Sequence, residues 1–169
     1  MTPPTLLGVQ WTLSLVAYAL LARWYVAPRL AARPREDAVV PLLWIHVFRY
    51  APAALFAPGQ VDPRIPADVN AAVGYGDLAV AVVALVAVLS VRVRVRGALL
   101  VVWLFSLISI GDLVFATIKA VEGRMYTFYM GWNWYLLNFY VPMLVVSQVM
   151  IIYYLVQGRR TAVKRPAQD

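Results

Sequence analysis

The stretch GALLVVWLFSLISIGDLVFATIKAV, Gly97–Val121, decides the fold. It carries two charges, Asp112 and Lys119, in a run longer than the roughly 20 mainly apolar residues that cross a bilayer as a helix. Working outward, four more segments read the same way: Leu6–Val26, Pro41–Phe56, Val73–Val91 and Trp134–Val156. The expected fold is therefore all-α, an integral membrane bundle of five transmembrane helices. The second segment is the shortest, is bounded by proline and carries both His46 and Arg49, so a broken or re-entrant helix is the alternative there. Residues 1–158 are expected to form one helical domain, and residues 159–169 a basic tail.

Composition excludes most other classes. Hydrophobic types make up 63% of the 169 residues and charged types 14%, with a mean hydropathy of +0.73. A soluble domain carries about a quarter charged residues, and disorder requires low hydrophobicity. The absence of cysteine removes disulfides, thiolate metal sites and cysteine nucleophiles. A single histidine removes a bis-histidine haem within one chain, and neither a metal nor another cofactor is expected. The first residues, Met1-Thr2-Pro3-Pro4, lack the basic region of a signal peptide, so the first segment is expected to be retained as a helix.

The net charge of 15 − 8 = +7 is distributed as a topology signal. Arg29, Arg33 and Arg35 lie in the first connection, Arg92, Arg94 and Arg96 in the third, and Arg159, Arg160, Lys164 and Arg165 in the tail. With five spans these all fall on one side, which the positive-inside rule makes the cytoplasm, leaving the N-terminus outside. The expected location is the bacterial inner membrane, crossed several times. Nucleic acid is not an expected partner, because the basic residues form no single patch. The alternation of valine and arginine from Val91 to Arg96 matches a strand formally, but a helix end meeting anionic headgroups is the simpler reading.

Charges inside a span are costly and usually face the bundle interior. His46, Arg49, Asp77, Asp112 and Lys119 are the candidates, joined by Asn133, Asn138 and Gln10. At 1.5 Å per residue from the outer segment ends, Asp77 lies roughly 6 Å deep, Arg49 about 10 Å, Asp112 about 13 Å and His46 about 15 Å. Helical spacing puts Gly74, Asp77, Ala81, Ala84 and Val88 on one small face, and Ser106, Ser109, Asp112, Ala116 and Lys119 on another. Pro52 removes a backbone donor and is expected to free the Phe48 carbonyl beside Arg49. Arginine keeps its charge, so Arg49 is expected to pair with Asp112, Asp77 or both. Adding Lys119 to Arg49, Asp77 and Asp112 brings the sum to zero.

The run Trp44-Ile45-His46-Val47-Phe48-Arg49-Tyr50, with Gly76-Asp77-Leu78 and Gly111-Asp112-Leu113, resembles a pattern in small bacterial multi-helix membrane proteins of no assigned activity. The resemblance spans the second to fifth segments. It implies no substrate or cofactor, only that Arg49 and Asp112 belong together.

Three functions compete. The first is a binding or transport module whose outer-leaflet polar pocket takes a small amphipathic or anionic molecule, a lipid or quinone for example. That reading expects a cavity lined by Arg49, Asp77 and Asn138, with Asn133 at its rim and the aromatic-rich Met125–Tyr140 stretch as its cap. The same aromatic residues also suit an interfacial belt. The second is a structural or accessory subunit, as a homo-oligomer or within a larger membrane complex, its polar residues acting as interhelical glue. The third is a membrane enzyme with His46 or Asp112 as acid/base, although no catalytic motif accompanies them.

Overall fold

The computed structural model describes residues 1–163, with side chains placed to Gln157, so the basic tail from Arg159 lies largely outside the described residues. The described residues form helices and turns and no strand. Five helices are long and apolar enough to cross a membrane: α1 (Pro3–Ala31), α2 (Arg35–Phe56), α3 (Ala67–Arg92), α4 (Ala98–Glu122) and α5 (Asn133–Gln157). α2, α3, α4 and α5 pack around a shared interior, while α1 lies against α5 and is the least buried.

Two helices start earlier than their apolar runs suggest. α2 begins at Arg35, behind Pro34, with Glu36 and Asp37 in its first turn. α3 begins at Ala67, behind Pro66, with Asp68 in its first turn. Acidic residues suit a helix N-terminus, where the backbone N–H groups are unpaired, so polarity there marks a helix start. The longer α3 places Asp77 ten residues from Ala67, roughly 15 Å along the axis, level with the other polar groups.

Proline sets the irregular turns. A π-turn spans Ala22–Val26 before Pro28, and another spans Leu136–Tyr140 before Pro142. The proline ring clashes with the carbonyl four residues back, and a widened turn relieves that clash. Around Pro52 the chain tightens instead, and α2 changes from α-helix to 3-10 helix over Phe48–Phe56. Pro41, by contrast, sits within the regular part of α2. The Val91–Arg96 stretch is a helix end and turn: α3 stops at Arg92, Arg94 is left-handed (φ 56), and Gly97 (φ 83) starts α4.

The two ends of the bundle are built differently. The end carrying the arginine-rich connections holds the main core, where Leu43, Ala84, Ala87, Val102, Phe105 and Ile151 are fully buried. The opposite end holds a smaller cluster of Leu55, Ile65, Val69, Met125 and Met130. Its two loops are joined by Asp62 N–H donating to the Tyr129 carbonyl at 2.8 Å. Gly131 (φ 50) belongs to the same junction, because a side chain there would run into the Gln60 carbonyl.

Candidate functional site

Arg49 is the largest fully buried side chain, 1% exposed, at the point where α2 becomes a 3-10 helix. All three of its guanidinium nitrogens are engaged. Nε donates to Asp77 Oδ1 of α3 at 2.7 Å, Nη1 to Ser109 Oγ of α4 at 3.0 Å, and Nη2 to Asp112 Oδ2 of α4 at 2.6 Å. Nη2 also lies 2.6 Å from Asp77 Oδ1. Of the pairings the sequence leaves open, both form. The planar fork of arginine suits this work, since it presents several donors in fixed directions.

Gly76 makes room for the network. A Cβ at Gly76 would collide with Asp112 Oδ1, whereas one at Gly111 would meet nothing within 4 Å. The two Gly-Asp-Leu triplets therefore place both aspartates on one arginine, and only the first needs its glycine for space.

His46 lies one turn from Arg49, 1% exposed, with Nε2 3.0 Å from Ser147 Oγ of α5 and its ring edge-on to Phe105. Ser147 also donates to the Leu144 carbonyl at 3.0 Å, so its oxygen is left to accept from Nε2–H of His46. Nδ1 is then the acceptor side of a neutral ring and has no partner. The Tyr140 hydroxyl donates to the Ile45 carbonyl at 2.5 Å. This outside donor thus reaches the last regular turn of α2, at Ile45, rather than the Phe48 carbonyl expected from Pro52.

Lys119 does not join the network. It sits near the end of α4, a third exposed, with Nζ 3.4 Å from Glu122 Oε2. Seven residues of helix carry it roughly two turns beyond Asp112, a carboxylate it was expected to balance. Asn138 is fully buried and donates to the Trp134 carbonyl at 2.8 Å. Gln10 of α1 accepts from Trp134 Nε1 at 3.0 Å.

Between the ion cluster and the Met125–Met130 loop lies a cavity of about 100 Å³. Its lining is mainly aliphatic and includes Arg49, Asp77, Tyr140 and Asn133, with Met125 and Met130 over it. Asn138 is not part of it. Asn133 is 4% exposed, and neither of its amide atoms has a hydrogen-bond partner. Half of the eight aromatic rings expected as a cap turn away: Tyr129, Trp132, Tyr135 and Phe139 are exposed, while Tyr140 lines the cavity. Ser147 and Gln148 escaped the sequence reading, although they form a polar pair in the middle of an apolar helix, and both amide atoms of Gln148 are buried without partners. Among the described residues, no cluster of His, Cys, Asp and Glu is arranged to hold a metal ion.

A family model described as "Domain of unknown function (DUF8737)" matches residues 6–156. The chain belongs to that family. The match takes in all five helices, the ion cluster and the cavity, so these are features of the family's domain in this chain. No curated protein and no solved structure matches it.

Proposed function

We propose that this DUF8737 protein is a multi-pass protein of the bacterial inner membrane that binds a small amphipathic molecule in the cavity beside Arg49 and Asp77. The arginine-rich connections put the C-terminus in the cytoplasm and the N-terminus outside, by the positive-inside rule. The cavity then belongs to the outer half of the bilayer, where a lipid-like molecule can reach it from the membrane.

The observation that carries this reading is the buried Asn133 amide, unpaired on both atoms in the wall of an otherwise aliphatic cavity. A buried amide without partners costs free energy, and a ligand's polar head removes that cost. A mostly apolar pocket with a few convergent polar groups is the usual form of a small-molecule site. At about 100 Å³ the cavity suits a head group, with the rest of the molecule among the lipids.

The test is native mass spectrometry of the protein released from nanodiscs, alongside an Ala116→Phe variant that fills the cavity. The wild type is expected to retain a small molecule that the filled variant loses. Equal masses for the two, with the variant still folded, would overturn the reading.

A second reading, a structural or accessory subunit, draws on the engagement of all three Arg49 nitrogens, as interhelical glue requires. Its signature in the same spectra is an oligomer or co-purified membrane partner without a retained small molecule.

A further inference from the structure

The charges within the bundle do not cancel. Arg49 faces two carboxylates, Asp77 and Asp112, so the cluster sums to +1 − 2 = −1. Lys119, which would have restored neutrality, is paired with Glu122. His46 adds no charge in its bond to Ser147, and α5 contributes no ionisable carboxyl or amine between Asn133 and Gln157. The Tyr140 hydroxyl is spent on the Ile45 carbonyl. An uncompensated charge at this depth is costly and calls for a positive partner.

The geometry shows where that partner would sit. Arg49 takes Asp77 through Oδ1, while Oδ2 accepts no hydrogen bond, and Asp77 lines the cavity. In the same wall the Asn133 amide supplies a free carbonyl oxygen and a free N–H₂. An uncommitted carboxylate oxygen and an unpaired amide therefore belong to residues lining one small space, beside a cluster that, with both carboxylates ionised, has one surplus negative charge.

Building on the ligand-binding reading above, we infer that the cavity selects an amphiphile with a protonated amine head, not an anionic one. The ammonium donates to Asp77 Oδ2 and to Asn133 Oδ1, and its charge brings the cluster to zero. The Asn133 N–H₂ then serves a hydroxyl or carbonyl next to the amine. A carboxylate or phosphate head fails here, because the guanidinium that would hold it is already bound to Asp77, Ser109 and Asp112 and the site is negative without it.

Three probes with the same tail separate the outcomes: dodecylamine, dodecanol and dodecanoate, each offered at pH 7 to the protein in zwitterionic nanodiscs and read by native mass spectrometry. An amine keeps its proton at this pH. The expected result is at least about tenfold preference for the amine over the alcohol, with no binding of the carboxylate. Asn133→Ala, outside the ion cluster, is expected to weaken the amine about tenfold, and Asp77→Asn to abolish the preference. If Asp77→Asn does not fold, Asn133→Ala still decides. Equal binding of amine and alcohol would mean that the cluster carries its own proton, overturning this inference while leaving the pocket reading intact. Failure of all three probes on the wild type would overturn the pocket reading and this inference together.

Discussion

The arginine-rich end and the aromatic end of this bundle bury their side chains to opposite effect. At the first, alanine and valine on α3 meet Leu43, Val102, Phe105 and Ile151 in a dense core. At the second, methionines close over a cavity lined by a residue with an unpaired amide and bordering the Arg49 cluster. The Arg49 cluster sits at the boundary, joining α2, α3 and α4. Tight packing of small residues is how membrane helices stay together without a hydrophobic drive. A void with unmet polar atoms contributes nothing to that, so the difference teaches that the packing that specifies the fold is concentrated at the arginine-rich end.

The boundary is where the comparison breaks most visibly. Arg49→Leu leaves two carboxylates facing each other without a cation, and the loss of a buried partner costs about 3–5 kcal/mol. Removing the acids as well, in Arg49→Leu/Asp77→Leu/Asp112→Leu, is expected to restore much of that stability. Thermal unfolding in a mild detergent ranks the variants. Equal losses for the single and triple changes would show that the ion pairs do not hold the helices.

Gly76→Ala attacks the same cluster without touching a charge. Its Cβ would take the place of Asp112 Oδ1, forcing the carboxylate off Arg49, at a cost of about 2–4 kcal/mol. Gly111→Ala has open space and is expected to be neutral or to stabilise by up to about 1 kcal/mol through helix propensity. The same melting curves compare the two.

Much of this architecture is legible in the residues alone, and the exceptions have physical causes. The five spans stand out because each is an apolar run in a chain with few charges. The pairing of Arg49 follows from a cation that keeps its charge within an apolar run. The depth of Asp77 does not follow, because Asp68 and Asn70 mask a helix that starts at Ala67 rather than Val73. Lys119 balances the cluster on paper, yet a nearby Glu122 at the helix end holds it without burial. Asn133 and Asn138 look equivalent by residue type, but five residues put them about 140° apart around a helix, and only Asn133 reaches the cavity.

Small-to-large changes sharpen the contrast in packing. Ala84→Leu enlarges a fully buried residue of α3 within the dense core, and overpacking there costs about 1–3 kcal/mol. Ala116→Leu adds the same atoms where the cavity offers room and is expected to cost less than about 1 kcal/mol. Matching losses at the two positions, read by thermal unfolding, would mean that the ends are packed alike.

The smallest effect lies in the loop before α3, where Arg64 donates to Asp62 from its backbone N–H at 2.9 Å and from its guanidinium at 2.7 to 3.3 Å. These bonds hold the Asp62 carboxyl well below its ordinary value, down to about 2. A folded-state value below the unfolded one means that the contribution is present above the ordinary carboxylate range and lost as pH falls through about 2. Arg64 is exposed to water and salt and the pair lies in a surface loop, so the effect on stability is minor. A carboxyl-detected NMR titration is expected to place the Asp62 midpoint near 2 at low salt, and Arg64→Ala to return it toward the ordinary range. An Asp62 midpoint that ignores Arg64→Ala would show that the loop is shaped by its prolines and by the bond to Tyr129, not by this pair.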